Sequence, residues 1–520
     1  MQAAHRVAKN TGILYARMAI TVFISLYATR LVLAALGVAD FGLFNVVGGV
    51  IAMLGFLNSS MAAATQRFMS FAQGAGDLEK VKRIFNMSTV LHAGIAVLMV
   101  LVLEIAGYFF FNGILNIAPD RLEVAKIIYH FMVASTFFTV LSVPYEAVIT
   151  SHENMLFYAI LGIIEALLKL GIAFYITYSS FDHLMAYGFL MAALSIFLLI
   201  LRRIYCHRYY EECVLDFRKY YEKSLLNEIT SFAGWSLLGS ASSMIANYGQ
   251  GIVINMFFGT IVNAAQSIAA QISGQLGVFS VTLTKALNPV IDKSEGAGNR
   301  AMMLKATLGG TKISFFLLSF LYIPFLLKMP YILGLWLKSV PDYTIIFCRL
   351  LLIRNLIEQF YIPLTNALGA VGNIKKYQIV SSLLNIIPII VSYVFFSLGF
   401  PPFTLYFAFM LFSLVMLFNV IYFAKINCDL SVVGFLKNVV LSCVITFVVA
   451  LGVSSIPIVV IDKEFIQFVS VCIVGCISYI ALIWLFALSK EEKIVVLHLK
   501  NKMVFLVNNL LVGSKKYNKE

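Results

Sequence analysis

Eleven ionisable side chains lie inside long apolar runs of this sequence, where a charged group is costly and therefore marks a functional candidate. The basic members suit phosphate, because arginine donates paired, charge-assisted hydrogen bonds to phosphate oxygens. The acidic members suit reversible binding of a proton or a metal cation. The set consists of Arg17, Arg30, Glu104, Glu146, Glu165, Lys169, Lys285, Lys312, Arg349, Arg354 and Glu358.

Arg17 is the first candidate for a phosphate ligand, and Arg30, Lys285 and Arg354 complete the predicted set. Arg17 lies about one and a half turns into the first apolar run. Arg30 follows about 20 Å further along a straight helix and about 220° around it, so one straight helix cannot direct both arginines into one cavity. The alternative for Arg17 and Lys285 is that each long side chain merely extends to a polar interface.

Carboxylates in the apolar runs form the second group of candidates. Glu165 and Lys169, like Arg354 and Glu358, are four residues apart and share one helix face. Each pair either neutralises itself within a packed helix or offers its carboxylate to a coupling ion. Glu146 has no oppositely charged partner near it in sequence, which makes it the first candidate for a coupling carboxylate. Glu165 and Glu358 are predicted as coupling carboxylates beside it.

A polar stripe in a later apolar run has a different chemistry. Asn263, Ser267, Gln271 and Gln275 recur every four residues and form one face of a helix. Amides and hydroxyls on one face suit hydrogen bonds to sugar hydroxyls in a wet cavity. The alternative is hydrogen bonding between tightly packed helices. The stripe is predicted as a glycan-binding face.

The elements that carry these residues are membrane spans. The chain of 520 residues is 61% hydrophobic and only 12% charged, whereas soluble domains are about 45–50% apolar and about 25% charged. Reading runs of about 20 apolar residues as spans predicts an all-α polytopic membrane protein with about fourteen transmembrane helices.

Loop charges predict the orientation of these spans. Lysine and arginine concentrate in alternate loops, which are retained on the cytoplasmic side, so both termini are predicted to be cytoplasmic. The cations behind the net charge of +13 then face the anionic lipids of the inner leaflet, and no nucleic-acid partner is needed to explain this charge. The seven cysteines form no CxxC pair, so no metal site is predicted, and no cofactor is either.

An internal repeat divides the chain. Two six-helix lobes related by a parallel repeat, followed by two helices, are predicted because six spans separate the partner segments. Predicted boundaries are 1–204 for the N-lobe, 205–226 for a cytoplasmic linker, 227–424 for the C-lobe, 425–488 for helices 13 and 14, and 489–520 for a cytoplasmic tail. The recurring residues are Pro144, Asn154, Tyr158 and Ile160 with Pro363, Asn373, Tyr377 and Ile379, Gly74-Ala75-Gly76 with Gly296-Ala297-Gly298, and Phe41-Gly42 with Phe258-Gly259.

The tail begins with a capping-box spacing, Ser489 and Glu492, before an apolar and basic stretch that ends at Val512. This pattern is compatible with a helix on the inner membrane surface. A frayed tail is the equally compatible alternative.

The arginine-bearing first span, the segment Leu36-Gly37-Val38-Ala39-Asp40-Phe41-Gly42-Leu43-Phe44-Asn45 and the six-plus-six-plus-two topology resemble the polysaccharide and O-antigen flippases of the multidrug/oligosaccharidyl-lipid/polysaccharide exporter superfamily. The resemblance implies two lobes around a central cavity and alternating access across the bacterial inner membrane. Its implied substrate is an oligosaccharide on undecaprenyl pyrophosphate, with membrane lipid and other glycan-assembly membrane proteins as partners. Coupling to Na⁺ or H⁺ is left open.

Three other classes of protein are alternatives to this resemblance. A cation-coupled multidrug exporter of the same superfamily usually has twelve spans and an early acidic residue, whereas the first span here carries arginines. A membrane glycan polymerase or ligase needs catalytic residues on a sizeable loop, but the predicted outer loops have no Asp-x-Asp pair and only one histidine, His183. A scaffold would not explain buried cations, so we expect a transporter and not an enzyme.

Overall fold

The computed structural model describes residues 2–53, 55–114, 119–337, 339–490, 492–494 and 497, and in this part of the chain the only regular secondary structure is helical. The α-helices are α1 Gln2–Met53, α2 Gly55–Gly74, α3 Leu78–Phe109, α4 Leu122–Leu141, α5 Val143–Ser151, α6 Met155–Tyr178, α7 His183–Tyr209, α8 Phe217–Tyr220, α9 Lys223–Gly296, α10 Arg300–Trp336, α11 Thr344–Gln359, α12 Ile362–Val371, α13 Lys375–Ser397, α14 Thr404–Cys428, α15 Val432–Phe435, α16 Ser442–Val460 and α17 Glu464–Leu482.

The helices form a multi-pass membrane protein. Among the described residues, 11 helices are long and apolar enough to cross a membrane. Large apolar side chains are exposed on several of them, such as Phe23 on α1 and Phe418 on α14, as expected where helices face lipid. The predicted all-α polytopic class is confirmed, whereas the count of about fourteen spans stays a prediction.

The two longest helices reverse direction at a glycine. Gly37 in α1 has φ 76° and ψ 169°, and Gly259 in α9 has φ 75° and ψ −171°, a region open essentially to glycine alone. In α9 the distances across Gly259 show that the chain folds back on itself. A Cβ added to Gly251 would lie 3.4 Å from the Asn263 side chain and 3.5 Å from that of Gln266. A straight helix would separate residues 251 and 263 by about 18 Å.

Corresponding helices recur along the chain. The starts of α3, α5 and α6 are followed by those of α10, α12 and α13 after 222, 219 and 220 residues (78 to 300, 143 to 362, 155 to 375). We call α1–α7 the N half and α9–α14 the C half. Backbone exceptions recur as well: Gly76 and Gly298 have φ of 73° and 70°, and Glu153 and Gly372 have φ of 57° and 94°.

One predicted repeat pairing is wrong. Phe41-Gly42 was matched with Phe258-Gly259, but the residue with the backbone conformation of Gly259 is Gly37. The correct offset is therefore 222 residues (37 to 259), which is also the offset of Gly74 from Gly296. The pairing rests on a shared Phe-Gly dipeptide, whereas the structural correspondence depends on one glycine with positive φ.

Two ends of the bundle differ in their contacts. At one end, which we call the basic end, the segments 75–77, 152–154, 210–222, 297–299, 372–374 and 429–431 connect helices, and the N-terminus of α1 joins them through an ion pair of Arg6 with Glu153. At the opposite end Arg121 donates hydrogen bonds to Asp40 (3.0 Å) and Asp182 (2.6 Å), which ties α1, α4 and α7 together.

The predicted capping box at the start of the tail is present. The Ser489 amide donates to the Glu492 carboxylate at 2.7 Å, and the Glu492 amide donates to the Ser489 hydroxyl at 3.2 Å. Glu492 also accepts a hydrogen bond from Lys312 of α10 at 2.8 Å. Residues 493, 494 and 497 are also helical, and the remainder of the predicted tail helix lies outside the described residues.

Candidate functional site

Three cations surround one carboxylate where the N half meets the C half. Lys285 of α9 donates to Glu146 at 3.1 Å, and Arg202 of α7 lies 3.9 Å from the same carboxylate. Lys285 also donates to the Tyr158 hydroxyl at 2.6 Å. Arg17 of α1 stacks on the Tyr158 ring, 4.5 Å from its centroid. We call these five residues the cationic cluster; its formal charge is +2, from three cations and one anion.

The backbone around Glu146 explains its position. α4 ends at Leu141 and α5 begins at Val143 with Pro144 in its first turn, where a missing N–H leaves no helical bond broken. Glu146 therefore lies in the first turn of a new short helix. Ser142, at the junction, accepts a hydrogen bond from Arg202 at 3.2 Å, which orients the arginine beside the carboxylate.

A glycine on α6 makes room for the Arg17 guanidinium. A Cβ added to Gly162 would lie 2.5 Å from Arg17 Cζ, closer than real Cβ contacts, so only glycine permits this packing. The guanidinium is thereby held flat between Gly162 and the Tyr158 ring. Arginine is suited to such a position because its planar head stacks on aromatic rings and keeps N–H groups free for an anion.

The two arginines of the first span have different environments. α1 has no non-helical residue between Arg17 and Arg30, so they point to different sides, as their spacing predicts. Arg30 is exposed and has no hydrogen bond or ion pair within the described part of the chain. The structure therefore brings Arg17 and Lys285 together, but it does not bring Arg30 to them. Arg202 and Tyr158 are the cluster members that the sequence did not identify as site residues.

Two further predicted site residues, Arg354 and Glu358, line a separate cavity of about 930 Å³ in the C half, which α2 also borders. Arg354 donates to Glu358 at 2.9 Å, and its guanidinium lies 4.8 Å from the centroid of the Phe409 ring. Arg67 and Asp292 contribute the remaining charges of the cavity wall, so the formal charges of its lining cancel.

Most polar groups of this cavity were not predicted. They are amides and hydroxyls on the faces of α9 and α13, and their spacing of three or four residues is a helical stripe that the sequence analysis overlooked. Because they come from small serines between larger apolar residues, the stripe was less visible than one made of glutamines. The residues are Ser236, Ser240 and Ser243 on α9, and Gln378, Ser381 and Asn385 on α13.

The predicted glycan stripe lies elsewhere. Asn263, Ser267, Gln271 and Gln275 are not among the residues that line this cavity. Ser267, Gln271 and Gln275 are exposed, and Ser267 donates to the Asn263 carbonyl at 3.0 Å. Their exposure is compatible with a wet cleft between the halves, and their glycan-binding role stays a prediction.

Glu165 and Lys169 form the predicted pair on α6, with a hydrogen bond of 2.7 Å. Their side chains are 31% and 42% exposed, so this pair lies in a more open environment than Arg354 and Glu358, whose side chains are 17% and 21% exposed. Of the two pairs, only the second borders the cavity. The coupling roles of Glu146, Glu165 and Glu358 stay predictions.

Comparison with known proteins identifies the fold. No family model and no curated protein matches this sequence. Among solved structures, the outward-facing conformation of a multidrug resistance MATE family transporter of the MOP superfamily superimposes with a TM-score of 0.71 and 15% identity, covering 82% of this chain and 96% of that one. A MATE structure in a bent conformation gives a TM-score of 0.67 and 17% identity over 83% of this chain and 100% of that one.

A third structure is described as a MOP superfamily transporter from Pyrococcus furiosus whose reversed binding-pocket polarity suggests a different function. It superimposes with a TM-score of 0.70 and 14% identity, covering 82% of this chain and 96% of that one. At such identities the likeness concerns the fold alone. This chain is an all-helical, multi-pass membrane protein with the fold of MATE transporters of the MOP superfamily.

Proposed function

We propose that this protein moves an amphiphile with a phosphate-containing anionic head and a sugar portion across the membrane by alternating access, most specifically an oligosaccharide linked to undecaprenyl pyrophosphate. The observation that carries the proposal is the cationic cluster of formal charge +2 at the interface of the two halves. Substrate sites of repeat-built transporters lie at such interfaces.

The cluster chemistry suits a pyrophosphate head. Arg17 and Arg202 offer planar N–H forks and Lys285 offers a compact ammonium, which together match the several oxygens of two linked phosphates. In the described state Glu146 accepts the hydrogen bond of Lys285 at 3.1 Å. An entering pyrophosphate would take over that bond, and Glu146 would keep the three cations from repelling one another while the site is empty.

The cavity suits the sugar portion. Its wall offers amides, serine hydroxyls and tyrosines from several helices, and its formal charges cancel. Such groups exchange hydrogen bonds with sugar hydroxyls without a charge requirement. A cavity of about 930 Å³ has the size typical of a large small-molecule site, so it would hold a few sugar residues and not a long polymer.

Orientation and coupling follow from the same proposal. The basic end would face the cytoplasm, since lysines and arginines of the kind retained on that side lie at the helix ends beside its connecting segments, such as Lys80, Arg300 and Lys375. The membrane would be the bacterial inner membrane. Glu358, which borders the cavity, and Glu146 are the proposed coupling carboxylates for H⁺ or Na⁺, because occupancy by cargo and by an ion would change the partners of each. Glu165 is the weaker candidate, since it borders neither site.

Multidrug export is the second candidate function. The solved structures that share the fold include a multidrug resistance transporter, so the comparisons favour this function over the flippase. Within this chain, Asp292 and Glu358 border the cavity and could hold a cationic drug. Against it, the interface of the halves carries excess positive charge, which repels cations.

Purified protein in liposomes separates the two functions. A fluorescent undecaprenyl-pyrophosphate oligosaccharide is quenched from outside to measure its movement, and a cationic dye is followed in parallel. We expect movement of the lipid in the wild-type protein and a loss of at least tenfold in Arg17→Ala. The matched control is Arg30→Ala, which removes an exposed arginine from the same helix and should move the lipid at the wild-type rate.

Dye transport without lipid movement would support the multidrug function and reject the flippase. Lipid movement that is equal in Arg17→Ala and Arg30→Ala would reject the cationic cluster as the headgroup site. Retained lipid movement in Arg30→Ala together with its loss in Arg17→Ala would support the proposal.

A further inference from the structure

Two glycines bring the backbones of the N half and the C half into direct contact at the basic end. A Cβ added to Gly74, at the end of α2, would lie 2.7 Å from the carbonyl carbon of Lys293 in α9. A Cβ added to Gly296, at the end of α9, would lie 2.7 Å from the carbonyl carbon of Phe71 in α2. Real Cβ atoms essentially never come within 3.0 Å of such atoms.

The contact is reciprocal under the internal repeat. Phe71 corresponds to Lys293 and Gly74 to Gly296 by the same offset of 222 residues (71 to 293, 74 to 296). Each half therefore presents the same surface to the other, as the two subunits of a symmetric dimer do. Such a self-complementary contact forms or breaks on both sides at once.

Close approach, and not backbone conformation, is what requires glycine at these two positions. Gly74 and Gly296 are helical and do not have positive φ, whereas Gly76 and Gly298, two residues later, have φ of 73° and 70° and end their helices. Alanine at 74 or 296 thus causes no backbone strain within its own helix. Its methyl group instead forces the two backbones apart.

A polar layer ties the halves together close to the glycine contact. Gln66 of α2 donates to Asp292 of α9 at 3.0 Å. Arg67 of α2 donates to the Gly369 carbonyl at 3.1 Å and to the Ala370 carbonyl at 2.7 Å, at the end of α12. All three bonds cross from the N half to the C half. We call Gln66, Arg67 and Asp292 the latch.

The latch is also part of the cavity wall. Gln66, Arg67 and Asp292 all border the cavity of about 930 Å³. Asp292 is 5% exposed and Arg67 is 8% exposed, so both lie on the protein side of that wall. A molecule in the cavity that bonds to one of them competes with a bond that holds the halves together.

We propose that the reciprocal Gly74–Gly296 contact is a gate that closes the basic end of the cavity, and that the latch lets a polar occupant of the cavity loosen it. The proposal rests on the alternating access of the proposed function but not on the identity of the cargo. Opening this end requires the helix ends of α2 and α9 to separate, which breaks both glycine contacts together with the Gln66–Asp292 bond.

Thiol labelling tests the gate without any cargo. Ser236, which borders the cavity, is replaced by cysteine, and a membrane-impermeant maleimide is applied to the basic end in vesicles of known orientation, with the parent protein as the blank. We expect slow labelling in Ser236→Cys alone. Adding Gly74→Ala or Gly296→Ala should speed labelling at least tenfold, which corresponds to about 1.4 kcal/mol in favour of the open state.

Matched glycine variants control for helix effects. Gly94→Ala and Gly309→Ala each add a methyl group at a helical glycine with no heavy atom within 4 Å, and they should label at the rate of Ser236→Cys alone. Equal labelling of the gate variants and these controls in folded protein overturns the proposal.

A second variant opens the latch without adding volume. Asp292→Ala removes the carboxylate that accepts from Gln66, and because alanine offers no side-chain acceptor, it should speed labelling in the same direction. If the gate glycine variants do not fold, this variant decides: faster labelling supports the proposal and an unchanged rate overturns it. Because no cargo is present, failure of the gate can be told apart from failure of the flippase proposal, which the lipid assay tests.

Discussion

Gly162→Ala displaces Arg17 without changing any charge. The new Cβ would lie 2.5 Å from Arg17 Cζ, and since a long side chain can move, the guanidinium rather than the helix gives way. Arg17 then leaves the Tyr158 ring, whose centroid lies 4.5 Å away. The lost cation–π contact is worth about 0.5–2 kcal/mol, and a misplaced charged hydrogen bond to phosphate about 1.5–3 kcal/mol more.

Together these terms predict about 2–5 kcal/mol weaker binding of an anionic head, or roughly a 30- to 5000-fold higher KM for lipid movement in liposomes. The fold should be unaffected or slightly stabilised, because alanine is favoured over glycine inside a helix by about 0.5–1 kcal/mol. Gly171→Ala is the control on the same helix, since no heavy atom lies within 4 Å of its added Cβ.

Equal KM values for Gly162→Ala and Gly171→Ala would refute the placement of Arg17 at the headgroup site. A further check combines Gly162→Ala with Arg17→Ala. If the glycine variant acts through Arg17, the double variant should be no worse than Arg17→Ala alone, because the two changes remove the same interaction.

Two further predictions concern stability and coupling. Gly259→Ala should lower the free energy of unfolding by about 1–3 kcal/mol, since φ of 75° with ψ of −171° strains any other residue. The control Gly277→Ala, whose added Cβ has no heavy atom within 4 Å, should not lower it. Equal melting temperatures of the two variants would contradict this prediction. Glu358→Gln should lower the free energy of unfolding by about 1–3 kcal/mol, because it leaves Arg354 without its counter-ion, and it should remove any dependence of transport on the ion gradient. Glu165→Gln, from the more exposed pair, should lower the free energy of unfolding by under about 1 kcal/mol. Unchanged ion dependence in Glu358→Gln would exclude Glu358 as the coupling carboxylate.

The sequence was most informative where one residue type has one physical consequence. Apolar runs predicted the helical membrane class, and Ser489 with Glu492 predicted a helix start. Intramembrane charge selected Arg17 and Lys285, which the structure places in one cluster. Local chain chemistry decides the helices and the types of buried charge, but it does not decide that these two cations meet.

Contacts between distant segments were beyond the sequence. No residue near Glu146 in the sequence indicates its pairing with Lys285, which lies 139 residues later. Arg202, which lies beside the same carboxylate, was not predicted as a site residue.

The sequence by itself determined the membrane class, the internal repeat and the types of charge buried in the spans, because lipid penalises every polar group in it and each apolar run must form a helix. Only the tertiary structure decided which charges meet, which amides line the cavity and why Gly74 and Gly296 are glycines. Those outcomes depend on how two sets of helices pack against each other, and a helix face does not specify its partner.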